Sequence, residues 1–409
     1  MMNINAFFKA LKLRKIATLL LILQLALTLA LLINSLVLSI DAFDKLNQSV
    51  KYDLNNLIAV ELIPTSTEYK NTAYYKSIMK QDLKKLSELD AVNHVAQYQQ
   101  LPIQMRGWNG TFKDLSGETE SVDYSDIHYV PNYFSSEQSL STLGLKIIAG
   151  RALTAEDEIE FQGFDHNNTP NIVITESLAK AVYPNDNALG KLTSNGTIVG
   201  ISEDFATNPK QQGRSKYFAV FSHILFTEVT SPQNYLIRVQ PGQLDTVIKQ
   251  IQTTILSVQV DRDIIRVYKM KERYQAFFKT EIGLAKLFMI LSLLMILVTV
   301  ISCFSHAHFH ISQQVKFIGI RRALGATKKD ILLYVLTENW LLTFLGCVLG
   351  IVTTLLTNIL LSQIITINKP ELLLYLLAIV VIFVSATLAA ILPAYKTTKI
   401  PPVLATQTR

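Results

Sequence analysis

A chain of 409 residues, 49% of them hydrophobic, with a formal charge of +6, has room for two or three domains and is only as apolar as the upper edge of the ordinary range. Its Lys and Arg cluster at the ends of apolar runs, which excludes the basic stripe of a nucleic-acid binder and points to membrane topology. The two cysteines, Cys303 and Cys347, lie inside apolar runs, so the long polar stretch between the first two runs holds no disulfide and must stand on its own core.

Residues 1–15 read as a cytoplasmic amphipathic lead, with Phe7 and Phe8 beside Lys9, Lys12, Arg14 and Lys15. Residues 16–40 are almost wholly apolar. At about 1.5 Å per residue they exceed a hydrocarbon core of about 30 Å. The run is too long for the core of a signal peptide, and no small-x-small cleavage site follows it, so it reads as an uncleaved first span.

Residues 41–283 form the soluble, extracytoplasmic part. Tyr74 to Leu89 has helical spacing and reads as a surface helix. Val95 to Met105 and Lys216 to Phe226 read as strands. Asn171 to Tyr183 reads as a strand running into a short helix stopped at Pro184. Thr197 to Ser202 and Tyr235 to Val239 read as strands, and Leu244 to Leu256 as a helix after the Pro241-Gly242 turn. Alternating strands and helices predict a mixed α/β domain of two lobes. The polar stretch Glu156 to Thr169 reads as an exposed loop.

Tyr268 to Lys286 is charged and helix-favouring. It leads without a breaker into the second apolar run, so a continuous helix is expected from Tyr268 to Phe304. The spans are then 284–306, 331–361 and 371–392, with a short turn at 362–370, Pro393 ending the last span, and a tail at 393–409. Lys and Arg cluster in the lead, in 307–330 and in the tail, whereas the 362–370 turn carries only Lys369. By the positive-inside rule both termini and the 307–330 segment face the cytoplasm. The fold class is thus an α-helical membrane protein with four transmembrane helices and a large extracytoplasmic α/β domain.

The 307–330 segment holds the most distinctive stretch: Gly319, Ile320, Arg321, Arg322, Ala323, Leu324, Gly325, Ala326 and Thr327, followed by Lys328, Lys329 and Asp330. Gly325 permits a sharp break between a helix and the third span. One reading of the four basic residues is topology anchoring and contact with lipid phosphates. The other is a helix offering Ile320, Ala323 and Leu324 to a groove on a partner, with the arginines at the rim.

This G-I-R-R-A-L-G-A-T-K-K-D-I stretch resembles the signature that precedes the third span in MacB-type permeases of ABC transporters. Leu143-Gly144-Leu145, Gly150-Arg151, Asn171 to Ala179, Gly190-Lys191 and Ile198 to Gly200 follow the order of that family's periplasmic core domain. The ending from Pro393 to Ala405 is similar to its closing motif. The resemblance covers essentially the whole chain. It implies an inner-membrane permease subunit that dimerises with a second copy or a sibling. A separate ABC ATPase binds ATP and Mg, and the Gly319–Thr327 segment couples to it. A periplasmic adaptor and an outer-membrane channel are further partners the family brings. No cofactor or metal is expected on this chain, which has no G-x-x-x-x-G-K-[ST] phosphate loop. The faint Leu115-Ser116-Gly117 match to an ABC signature is read as chance.

The implied function is mechanotransmission: ATP-driven movement carried to the extracytoplasmic domain, for efflux of drugs, peptides or other hydrophobic cargo. Alternatives are lipoprotein release and an FtsX-like regulatory switch acting on an extracytoplasmic partner. Among other residues, Glu338 lies about 12 Å into the third run and is expected to meet a cytoplasmic Lys or Arg. His306, His308 and His310 have a spacing that splays them around a helix, against a metal site. Gly346 and Gly350 permit close helix packing. No catalytic triad or zinc motif marks the soluble part.

Overall fold

The computed structural model describes residues 15–104, 107–116, 127, 129–160, 169–184, 187–211, 213–225, 233–363 and 370–397. The amphipathic lead up to residue 14, Met105, Gly117, much of the 156–169 loop, Phe226, Lys369 and the end of the tail lie outside these residues.

In chain order the elements begin with α1 (Lys15–Asn47), β1 (Leu57–Pro64), α2 (Thr72–Ser87), β2 (Val92–Tyr98), β3 (Asn109–Gly110), β4 (Val130–Phe134) and α3 (Ser139–Leu143). They continue with β5 (Ile147–Gly150), β6 (Ile159–Glu160), β7 (Asn171–Thr175), α4 (Glu176–Val182), β8 (Leu192–Thr193), β9 (Gly196–Ser202), β10 (Val220–Ser222) and β11 (Ile224–Leu225). The last are β12 (Gln233–Val239), α5 (Leu244–Val258), β13 (Arg262–Lys269), α6 (Met270–Phe277), α7 (Lys279–Ala323), α8 (Lys328–Ser362) and α9 (Leu372–Thr397). The chain divides into a helical unit, Met1–Leu46 with Phe278–Arg409, and an α/β unit, Asn47–Phe277. The α/β unit is therefore narrower than the 41–283 expected.

The α/β unit has two lobes. In the first, β1-α2-β2 and β12-α5-β13 make an antiparallel sheet in the order β13-β1-β12-β2, a split βαβ arrangement. Leu57 to Val60 in central β1 are all fully buried, as a continuous apolar run in a covered strand should be. The helices bury stripes at helical spacing: Tyr75, Ile78, Met79 and Leu86 from α2, and Val247, Ile251 and Ile255 from α5. The second lobe is inserted between β2 and β12. Its mixed sheet runs β3-β4-β10-β7-β9-β5, with β8 on β9, and α4 covers Ile172, Ile174 and Ile198.

Asp82 occupies the apolar stripe of α2, where a carboxylate has no water. Arg262, at the start of β13, forks onto it, with Nη2 donating to Oδ1 at 2.7 Å and Nη1 pairing with Oδ2. Tyr235 Oη donates to Oδ2 at 2.8 Å. Burial pushes the Asp82 carboxyl up, and the Arg262 and Tyr235 hydrogen bonds pull it back. The pair ties α2 to two strands of the sheet.

In the helical unit, all four long helices have the length and composition to cross a membrane. Leu21, Leu25, Leu29, Ile33 and Val37 recur every four residues on α1. They pack with Cys303 of α7, Leu342 and Cys347 of α8, and Ala378, Ile382, Ala386 and Ala389 of α9. Polar side chains tie the helices across this core. Thr28 and Thr299 share a hydrogen bond of 2.8 Å, Asn34 donates to Thr357 at 2.9 Å, and Asn339 donates to the Ala386 carbonyl at 3.0 Å. Gly346 and Gly350 are where α8 meets α1: a Cβ on Gly346 would lie 2.5 Å from Leu25 Cβ, and one on Gly350 2.9 Å from Leu29 Cβ.

Several expected boundaries differ. The strand expected at Val95 to Met105 ends at Tyr98. The one expected at Lys216 to Phe226 opens as a 3-10 turn, Arg214–Tyr217, and is divided into β10 and β11. In the expected 156–169 loop, Asp157 is buried on Arg151 and Ile159–Glu160 form β6. Tyr268 is in β13, not a helix, and α6 and α7 are separated at Phe278, which takes φ −99° and ψ 13°. The charge pattern suited a strand edge as well as a helix, and pairing with β1 decided it. The first helix runs to Asn47, past the apolar run, and Asp41 pairs with Lys45 one turn on at 2.6 Å. Pro393 sits inside α9 rather than ending it. A proline forfeits a single hydrogen bond of a helix, and the next residue, Ala394, is fully buried against Ile311 and Val335.

Replacing Asp82 by Ala leaves Arg262 charged and unpaired in the lobe core. Loss of about 3–5 kcal/mol is expected, read as a lower melting temperature of the full-length protein in detergent. Gly346→Leu is expected to destabilise by about 1–3 kcal/mol through overpacking against Leu25. The same melt checks it, with exposed Leu356→Ala as the neutral control.

Candidate functional site

At 45 residues, α7 is about 67 Å long, more than twice a hydrocarbon core of about 30 Å. The segment 307–330 is therefore mostly a continuation of the second span rather than a separate short helix. It stops because of Gly325, which adopts φ +98° with open space around it. The Gly325 amide donates to the Arg322 carbonyl at 3.1 Å and the Ala326 amide to the Arg321 carbonyl at 3.0 Å. This is a Schellman closure, which satisfies the last carbonyls of a helix and needs a left-handed residue.

Two residues later the next helix begins. Thr327 Oγ1 accepts from the Asp330 amide at 3.2 Å, and Asp330 Oδ2 accepts from the Thr327 amide at 2.8 Å. This is a capping box. The stretch Leu324 to Asp330 is thus a helix stop set directly against a helix start, and it folds α7 back onto α8.

The hairpin tip presents an apolar stripe. Leu324 is 83% exposed, Phe317 47% and Ile320 44%. At i, i+3 and i+7 these three share one helix face. Ala323 is exposed beside them, and Gly319 is buried on the opposite side. Arg321 lies between two rings, 4.9 Å from the centroid of Phe317 and 4.7 Å from that of Tyr334. Arg322 and Ala326 are half-buried, and Thr327, Lys328 and Lys329 are exposed. The expected segment therefore forms one capped tip, with Ile320, Ala323 and Leu324 outward. Phe317 belongs to the stripe and was missed; the three-residue step to Ile320 was its signal.

Glu338 meets His310 rather than a Lys or Arg, with Nε2 and Oε2 2.5 Å apart. The basic residues sit further along the hairpin, and α7 brings the imidazole to that level instead. The His306 and His310 rings are 6.5 Å apart, and His308 stacks on Phe304. Among the described residues no group of three His, Cys, Asp or Glu is placed to hold a metal ion.

Residues 18–254 match the model of the MacB-like periplasmic core domain, and residues 289–402 match that of the FtsX-like permease C-terminal region. The chain belongs to the MacB-type permease family. It is 22% identical over 232 residues to a macrolide export ATP-binding/permease protein MacB of Campylobacter jejuni, covering 52% of this chain and 33% of that protein. It is 24% identical over 266 residues to the MacB of Marinobacter nauticus, covering 63% of this chain and 40% of that one. The chain therefore spans at most two-fifths of the length of these curated relatives. The crystal structure of the periplasmic region of MacB from Actinobacillus actinomycetemcomitans aligns over 57% of this chain and 97% of its own, at 16% identity and a TM-score of 0.33.

By family this is an ABC-transporter permease with four membrane-crossing helices. The α7–α8 hairpin from residue 289 onward, its tip included, lies within the FtsX-like match. In this MacB-type permease the hairpin tip depends on one backbone conformation. Gly325→Ala is expected to weaken it by about 1–2 kcal/mol, the penalty for a Cβ in a left-handed conformation. Thr327→Ala should remove about 1 kcal/mol of capping. Both are checked by amide hydrogen exchange, which should quicken between Arg321 and Asp330 and stay unchanged in α1.

Proposed function

We propose that this permease is the membrane subunit of an ABC export machine, and that the α7–α8 hairpin tip is where a separate ATPase subunit grips it. The observation carrying this reading is the Phe317–Ile320–Leu324 stripe: large apolar side chains exposed on a capped hairpin at the far end of a helix too long for the bilayer. A small apolar stripe rimmed by Arg321, Arg322, Lys328 and Lys329 suits a protein groove with an acidic rim. The basic residues also favour a cytoplasmic tip. ATP and Mg then act on the partner, and closure of two ATPase subunits moves the hairpins of two permease copies. α7 carries the movement toward the α/β unit, whose last element, α6, immediately precedes it. Hydrophobic cargo such as the macrolides named for the relatives is the class we assign to export.

The experiment is co-purification in detergent with the ABC ATPase encoded beside this chain. The ATPase is expected to come down with wild type. Arg321→Glu/Arg322→Glu should lower the recovered ATPase at least ten-fold, and Ile320→Asp/Leu324→Asp should do the same. Recovery unchanged in both double variants would place the grip elsewhere, and no recovery with wild type would end the coupling reading.

A further inference from the structure

α7 and α8 run back from the tip, with polar side chains meeting between them. Three such contacts occur in sequence. Arg321 sits over the Tyr334 ring at 4.7 Å. Tyr334 Oη donates to Gln314 Oε1 at 3.3 Å. His310 Nε2 then meets Glu338 Oε2 at 2.5 Å. On α8 the partners are Tyr334 and Glu338, one turn apart, and on α7 they step back from Arg321 through Gln314 to His310. Two apolar layers flank the last contact: Ala307 with Leu336 and Ala390, and Ile311 with Val335 and Ala394. In both layers α9 supplies an alanine, so it can lie close against the hairpin without displacing the polar pair.

Glu338 and His310 are each about nine-tenths buried. A buried carboxylate in the first turns of a span is expensive unless it is partnered, and an imidazole on the facing helix is a directional partner. An apolar pair at this level would hold the helices together yet let them slide or rotate. A close imidazole–carboxylate contact, with Nε2 and Oε2 2.5 Å apart, fixes their register.

We propose that His310 and Glu338 are positioning residues that clasp α7 and α8 into one rigid lever, so that a push on the Phe317–Leu324 tip displaces both spans together. This deepens the coupling reading and rests on it for its purpose, but the clasp itself can be tested without any ATPase. In a Cys303→Ser/Cys347→Ser background, Gln313→Cys on α7 and Leu333→Cys on α8 carry spin labels in full-length protein in lipid nanodiscs. The expected result is a single narrow distance distribution. It should at least double in width in His310→Ala and in Glu338→Gln, and narrow again in the exchanged pair His310→Glu/Glu338→His. Unchanged widths in the single variants overturn the clasp, as does an exchanged pair that folds but stays broad.

A second readout ties the clasp to coupling. The single variants should co-purify as much ATPase as wild type, while the change that the permease causes in the ATP hydrolysis rate shrinks at least five-fold. The exchanged pair should restore it, which a generally damaged helix packing would not. Full coupling in both single variants overturns the lever. Failure of wild type to recruit ATPase strikes the coupling reading alone, because the distance measurement still decides whether the clasp exists.

Discussion

The antiparallel pairing of β1 with β13 is the closure on which the α/β unit depends. Ile58 faces Lys269 and Pro64 faces Arg262, so strands about two hundred residues apart lie side by side. The chain enters the unit ahead of β1 and leaves it through α6, the short helix that directly follows β13. Entry and exit are therefore neighbours, and everything between them is a closed excursion that can grow without moving them. The second lobe is such an insertion, placed between β2 and β12. Arg262, the residue that locks the first lobe through Asp82, stands at the start of β13. The closure and the buried ion pair thus share a strand, and losing one loosens the other.

The helical unit solves a different problem. Lipid offers little hydrophobic drive to bring one apolar helix against another, so contact must come from close fit and hydrogen bonds. Gly346 and Gly350 supply the fit, letting α1 lie against α8. Thr28 with Thr299, Asn34 with Thr357, and Asn339 with the Ala386 carbonyl supply the bonds. His310 and Glu338 add a close polar contact nearer the hairpin tip. The tip itself needs no tertiary partner for its turn, because a Schellman closure and a capping box are local. That independence is why the G-I-R-R-A-L-G-A-T-K-K-D stretch could be singled out from sequence.

Much of the fold was legible where the chemistry is local. The β7–α4 unit, β9, β12, α2 and α5 fall within a few residues of the expected positions, because each has its own periodicity and a turn signal at its end. The elements misread or missed lacked one of these. β1 has no alternation, being buried on both faces. Lys, Arg and Glu around Tyr268 suit either a helix or a strand, and only β1 could recruit it to a sheet. Pro393 is a stop signal in sequence, although Ala394 packs firmly enough to carry the helix past it. Phe317 and the His310–Glu338 contact depended on which face of α7 turns to α8.

By itself the sequence determined that the chain crosses a membrane four times, that a two-lobed α/β domain lies between the first two spans, and that a glycine-broken basic segment precedes the third. These follow from apolar run length, side-chain periodicity and the conformational freedom of Gly325, all properties of neighbouring residues. Only the tertiary structure decided that β13 pairs with β1, that Asp82 is held by Arg262 and Tyr235, that Gly346 and Gly350 receive α1, and that Glu338 finds His310. Each joins residues far apart in the chain. A local pattern constrains which faces are apolar, but the partner of a buried polar group is chosen by packing.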